Sequence, residues 1–149
     1  MSLYNIFKIS SQGMTAQRER LEAAAANLAN ANSTRAANGQ PYQRRDVIFT
    51  AIDINDQWRT SSSEMGLGGA AKPQGVSSEV VMAGEDQYQT QYQPSHPDAD
   101  ANGYVKMPDV DPLEETVNMM SAARAFEANA TVFSTAKELG RVSLSLGDA

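Results

Sequence analysis

Two proline-free stretches, one at each end of the chain, carry apolar residues at helical spacing, and they constrain the fold more than any other feature of the sequence. From Leu3 to Asn32 the residues are rich in Ala, Glu, Arg and Gln, with four alanines in a row at 23–26, all of which favour helix. Phe7, Met14, Leu21 and Leu28 recur every seven residues, and Ala24 and Ala31 follow the last two at a distance of three. The pattern predicts a narrow apolar seam on a helix about 40 Å long, and a seam so narrow requires a helical neighbour. Asn30, Asn32, Ser33 and Thr34 predict its end, because these side chains compete for backbone hydrogen bonds.

The C-terminal stretch opens on Asp111-Pro112-Leu113-Glu114. Asp111 suits the cap, Pro112 the first helical position, and Glu114 the return arm of a capping box. Met119, Ala123, Phe126, Ala130 and Phe133 follow at spacings of four, three, four and three, a second heptad seam. Another stripe runs through Leu113, Val117 and Met120 and again through Val132, Ala136, Leu139, Val142 and Leu146. Apolar surface therefore wraps more than one side of this helix, and one partner helix cannot cover it. At about 25 cal/mol per Å², leaving several large side chains in water forfeits several kcal/mol, comparable with the whole stability of a small domain. The residues point to self-association or a protein partner. Gly140 weakens the last turns and Gly147 predicts their end.

The middle of the chain differs in character. Asn38-Gly39 signals a turn, and Tyr42 to Ile54 mixes aromatic and β-branched residues as a strand does, with Arg44 and Arg45 at its start on a solvated edge. Residues 56–75 are rich in Ser, Gly and Ala and read as a mobile insertion, with Trp58 anomalous inside it. Gln87 to Gln93 alternates strictly, placing Tyr88, Thr90 and Tyr92 on one face of a strand suited to a sheet edge. Pro94, Pro97 and Pro108, with Asn102-Gly103, then bar helix until Asp111, where Pro112 marks its start. The expected fold is mainly α with a small β portion: N-terminal helix (1–34), β-rich and extended segment (35–110) and C-terminal helix (111–149), the helices forming a coiled-coil-like domain.

Composition narrows the function. With no cysteine and one histidine, the 149 residues offer no disulfide framework, thiol nucleophile or multi-histidine metal site. The formal charge of −6 argues against a nucleic-acid binder. Residues 1–60 carry seven basic and five acidic side chains and 61–149 five and thirteen, so the acidity lies toward the C-terminus. His96-Pro97-Asp98-Ala99-Asp100 is the one cluster resembling a ligand set, but it lacks the ligand count and spacing of a cation loop. It reads instead as a proline-rich turn whose Asp side chains bond nearby amides. Glu114-Glu115 is explained by the helix dipole, since adjacent helical residues point about 100° apart. No catalytic residue, cofactor or metal ligand is assigned. No stretch approaches the ~20 apolar residues of a membrane span, and the N-terminus lacks the pattern of a cleaved secretory signal.

Several blocks are specific enough to carry a resemblance. Ser11 to Asn32, NGQPY at 38–42 followed by Val47-Ile48-Phe49, HPDADANGYVKMPDVD at 96–111 and EETVNMMSAARAFEAN at 114–129 together resemble the axial proteins of the bacterial flagellum, the rod and hook family, and within it the proximal-rod proteins. The chain departs from them at Asp109, where Asn is usual, and in a longer stretch around 56–75. The resemblance implies a non-enzymatic rod subunit of the flagellar basal body, exported without a cleaved signal by the flagellar type III apparatus into the periplasmic space. Its implied neighbours are further copies of itself and rod proteins of the FlgB, FlgF, FlgG and FliE types. The seam residues Phe7, Met14, Leu21, Leu28, Leu113, Val117, Met119, Met120, Ala123, Phe126, Ala130, Phe133 and Leu139 become candidate helix-interface positions. Asn27, Asn30, Arg124, Glu127 and Asn129 become candidates for polar pairing between subunits. The competing reading is a soluble helical-hairpin adaptor or chaperone.

Overall fold

The computed structural model describes residues 3–36, 39–54, 74–84 and 87–147. Its elements run α1 (Leu3–Ala29), β1 (Arg45–Asp53), β2 (Gln74–Met82), β3 (Tyr88–Tyr92), β4 (Tyr104–Pro108) and α2 (Pro112–Gly147). The fold is mainly α, with two long terminal helices and two small two-stranded sheets between them.

Each helix end has a local cause. Asn30 stops α1 near the expected place: its amide Nδ2 donates to the Ala26 carbonyl at 2.8 Å, and its Oδ1 accepts from the Ser33 hydroxyl at 3.2 Å. Asp111 caps α2, its Oδ1 accepting from the Leu113 N–H at 2.8 Å. The expected capping box does not form, because the Glu114 carboxylate is turned to Arg44 instead. The helix runs through Gly140, where an added Cβ would meet nothing within 4 Å, and reaches Gly147 as the sequence predicts.

Two of the four strands were not foreseen. β2 pairs with β1, and the Ala83 N–H extends that ribbon by donating to the Arg44 carbonyl at 2.8 Å. Residues 74 and 75, expected within the mobile insertion, belong to β2, while 55–73, with Trp58, lie outside the described residues. β3 stands at a sheet edge as its alternation predicts, antiparallel to β4 in the register Tyr88↔Pro108 through Tyr92↔Tyr104. The turn joining them needs Gly103, whose φ is +81°.

The chain forms two compact units. The first comprises residues 1–17, 49–78 and 124–149. In it Phe7 meets Phe133 edge to face at 5.0 Å, Lys8 Nζ donates to the Ile54 carbonyl at 3.1 Å, and Ala16, Ile54 and Ala136 are buried. The second comprises 18–48 and 79–123, and contains both strands of the β3–β4 sheet. Its buried apolar residues are Ala23, Ala24, Ala31, Val105, Val110 and Ala122. Arg20 links the helices there, donating to Asn118 Oδ1 at 2.8 Å. Of the three largest fully buried side chains only Val105 is apolar; the others are Glu115 and Asn27. Such burial is costly without partners, so the polar bonds of this unit organise its packing.

Candidate assembly interface and its polar anchors

Among the exposed residues of α2 are many large apolar side chains, interspersed with polar ones. In its first turns Leu113, Val117 and Met120, spaced four and three apart, are all more than half exposed, Leu113 at 73%. In its later turns Val132, Leu139, Val142, Leu144 and Leu146 are exposed, Leu139 at 57%; within that stripe only Ala136 is buried. The other predicted seam is turned further inward: Met119, Ala123, Ala130 and Phe133 are half-buried and Phe126 is 39% exposed. On α1, Phe7, Met14, Leu21 and Leu28 are also half-buried. The buried side chains of its second half are instead Ala23, Ala24 and Asn27. Covering the nine exposed large apolar side chains of α2 is worth roughly 1 kcal/mol or more apiece. Exposed apolar surface on α2 is thus a source of association energy in each unit.

Polar anchors hold α2 where it begins. Arg44 Nε donates to Glu115 Oε1 at 2.9 Å, its Nη2 to Glu114 Oε1 at 3.1 Å, and Asp46 Oδ1 lies 3.6 Å from Nε. Glu115 is only 2% exposed, so this guanidinium is what neutralises a carboxylate removed from water. Burial alone would lower the Arg44 pKa, but Asp46, Glu114 and Glu115 outweigh it and hold the group above its ordinary value. The expectation of a solvated edge therefore fails for Arg44 and holds for Arg45, whose side chain is exposed. The paired glutamates share one cation despite pointing in different directions, because the fork of Arg44 reaches both. Glu115 also sits four residues before Met119 and seven before Ala122, on the inward side of α2; an acid at that phase was the available signal.

Asn27 anchors the other helix. Its Oδ1 accepts from the Arg45 N–H at 2.8 Å and from the Tyr42 hydroxyl at 3.0 Å, and its Nδ2 donates to the Arg45 carbonyl at 2.8 Å. The side-chain amide thus pairs with a peptide group as a neighbouring strand would, which aligns β1 with α1. Burial pushes the Tyr42 phenol up; Arg45 opposes the shift and Glu115 adds to it. The remaining polar candidates stand differently. Asn30 and Asn129 bond carbonyls of their own helices, Asn129 Nδ2 donating to Ala125 at 2.9 Å, and Arg124 and Glu127 are exposed.

The loop around His96 is a hydrogen-bonded turn tied to the residues after α1. His96 Nδ1 accepts from the Asp98 N–H at 3.1 Å, and Asp100 Oδ1 accepts from the N–H groups of Asn102 and Tyr104 at 2.9 and 2.8 Å. Asp98 Oδ2 takes the Thr34 hydroxyl at 2.8 Å. Asp100 is thus an amide-bonding aspartate of the kind the sequence predicts, whereas the Asp98 carboxylate is bound by the Thr34 hydroxyl and lies 3.7 Å from Arg35 Nη1. Among the described residues no group of three or more His, Cys, Asp or Glu is placed to hold a metal ion, and no helix is long and apolar enough to cross a membrane.

Comparison with known proteins bears on the same elements. Residues 7–36 match the family described as Flagella basal body rod protein, and residues 101–146 match Flagellar basal body rod FlgEFG protein C-terminal. Flagellar basal-body rod protein FlgC of Escherichia coli and that of Salmonella typhimurium are each 40% identical to the chain over 147 residues, covering 99% of both partners. The Bacillus subtilis FlgC is 34% identical over 151 residues, again covering 99% of both. The chain belongs to the FlgC family of flagellar basal-body rod proteins. Membership makes it a structural part of the rod rather than a free adaptor. The two family matches fall on α1 and on α2 with the strand before it, so they contain Asn27, Glu114, Glu115 and the exposed apolar face of α2. Tyr42 and Arg44 lie between them. Asp109 Oδ1 accepts from Gln89 Nε2 at 2.6 Å, a bond that ties β3 to the residue after β4.

Proposed function

We propose that the chain is a wall-forming subunit of the proximal rod, with the helices of 1–34 and 111–149 packed against those of neighbouring subunits as an inner tube and 35–110 placed outside it. The observation that carries the reading is the exposed apolar face of α2 in a member of a rod family. Leu113, Val117, Met120 and Leu139 are covered by neighbours, and Phe126 and the half-buried seam residues complete the contact. Arg124 and Glu127 supply polar pairing across it. Asn27, Asn30 and Asn129 bond within their own chain and shape the subunit instead. The neighbours are further copies and rod proteins of the FlgB, FlgF, FlgG and FliE types. The subunit reaches the periplasmic rod through the type III export apparatus without a cleaved signal, and transmits torque as part of the drive shaft. No catalytic step, cofactor or nucleic acid enters this role.

Leu139→Asp tests it. Because Leu139 is exposed in the lone chain, the variant should unfold within about 0.5 kcal/mol of the parent in urea. It should nevertheless fail to restore swimming or complete rods to a strain lacking the protein. Normal rods containing Leu139→Asp would show that this face is not an interface.

A further inference from the structure

The β3–β4 sheet has one protected edge and one bare edge. The Gln93 N–H donates to the Gly103 carbonyl at 2.9 Å, so with the observed register the hydrogen-bonded pairs continue as Gln91–Val105 and Gln89–Met107. Tyr88, Thr90 and Tyr92 must then direct their backbone N–H and C=O groups away from β4, and Tyr104, Lys106 and Pro108 direct theirs away from β3. The β4 edge is blocked throughout. Tyr104 exchanges bonds with Asp100 at 2.8 and 2.9 Å, Lys106 brings a charge and Pro108 has no N–H. On β3, Thr90 and Tyr92 are exposed, and no backbone hydrogen bond among the described residues ends on the outward groups of Tyr88, Thr90 or Tyr92. This strand has no charge, proline or glycine to deter a partner.

Its sequence specifies which partner. Gln87-Tyr88-Gln89-Thr90-Gln91-Tyr92-Gln93 reads the same in both directions, so a second copy laid antiparallel about a two-fold axis at Thr90 meets its own image. We propose that two free copies of this chain pair through β3 in that register, forming a four-stranded sheet in the order β4-β3-β3-β4. The parity is right: Tyr88 with Tyr92 of the partner subunit, Thr90 with the partner's Thr90, and Tyr92 with the partner's Tyr88 all join outward-facing residues, giving about six backbone hydrogen bonds. Tyrosine meets tyrosine and threonine meets threonine on one face, glutamine meets glutamine on the other, and no like charges oppose. A two-fold pair points its members in opposite directions, whereas a rod repeats them head to tail. The pair therefore belongs to the subunit before incorporation. Only this timing rests on the rod reading; the pairing does not.

The full chain is tested by light scattering after size exclusion, from about 1 μM to about 500 μM. The expected result is a concentration-dependent dimer. Thr90→Lys, which places like charges on the two-fold axis, should raise the dissociation constant about tenfold or more with the far-UV circular dichroism unchanged. A cysteine series reads the register independently, since the natural chain has no cysteine. Opposed hydrogen-bonded residues lie about 5.5 Å apart at Cα, within disulfide reach, so Thr90→Cys should oxidise to a dimer by itself. Tyr88→Cys alone and Tyr92→Cys alone should not cross-link, their like positions being about 13 Å apart, but a mixture of the two should. A monomer at every concentration, a dimer indifferent to Thr90→Lys, or self-cross-linking at all three positions would each overturn the proposal.

Discussion

Replacing Arg44 with methionine removes a guanidinium from three carboxylates of unequal exposure, and the inequality sets the cost. Asp46 and Glu114 are more than half exposed, so water replaces Arg44 there and each pairing is worth about 0–1 kcal/mol. Glu115 is 2% exposed and its side chain has no other partner among the described hydrogen bonds. Stranding a buried carboxylate costs about 3–5 kcal/mol; since Arg44 itself keeps a quarter of its side-chain surface in water, the lower end, about 3 kcal/mol, is the expected loss. For a chain of this length that lowers the thermal midpoint by roughly 6–12 °C. Urea denaturation of the purified chain measures it, and the double variant Arg44→Met/Glu115→Leu supplies the control. Removing both charges leaves nothing buried and unpaired, so the double variant should be more stable than Arg44→Met alone. A loss below about 1 kcal/mol for Arg44→Met, or a double variant worse than the single, would refute the claim that Arg44 neutralises a buried acid.

The helices were legible because their signals are local: Asp111-Pro112 and the Asn/Ser run after Ala29 act within one turn, and three-four spacing survives without knowledge of neighbours. β1 and β3 were legible through β-branched content and alternation. β2 was hidden by the Ser/Gly/Ala-rich residues that run into it, although Val76 to Met82 is a strand by composition. β4 was hidden by brevity and by Pro108, which a strand tolerates at its outward edge. At the candidate interface the apolar stripe of α2 was readable, but its anchors were not. Hydropathy ranks Leu above Ala and places Asn and Glu outside, whereas close approach in the second unit buries Ala23, Ala24 and Asn27 and draws Glu115 inward to meet Arg44. Those pairings join residues 18 and 71 positions apart, a distance over which no local pattern speaks. Directional polar bonds, which contribute little net energy but fix geometry, hold the helix ends, while large apolar side chains of α2 stay exposed.

Two further perturbations separate causes that the structure overlays. Alanine at Gly103 must adopt φ near +81° and brings its Cβ to 2.9 Å from Tyr92 Cε2 and 3.2 Å from Pro94 Cβ, whereas alanine at Gly39 (φ +78°) meets nothing within 4 Å. Gly39→Ala should therefore cost only the backbone penalty of about 1–2 kcal/mol and Gly103→Ala distinctly more; equal losses in urea would mean that the β3–β4 turn yields freely. Tyr42 gives the pH dependence. Its folded pKa lies above the ordinary phenol value of about 10, chiefly through burial, so the folded chain holds the proton more tightly than the unfolded chain does. The stabilisation is complete below pH 10 and is lost as pH rises from there through the folded pKa. Ionisation then also removes the hydroxyl that donates to Asn27 and sets a phenolate near Glu115. Tyr42→Phe, which lacks that hydroxyl, should lose about 1 kcal/mol at pH 8 but fall less steeply between pH 10 and 11.5, so that the two urea-midpoint curves converge. Parallel curves across that range would place the alkaline transition on another group and leave the Tyr42–Asn27 bond without a part in it.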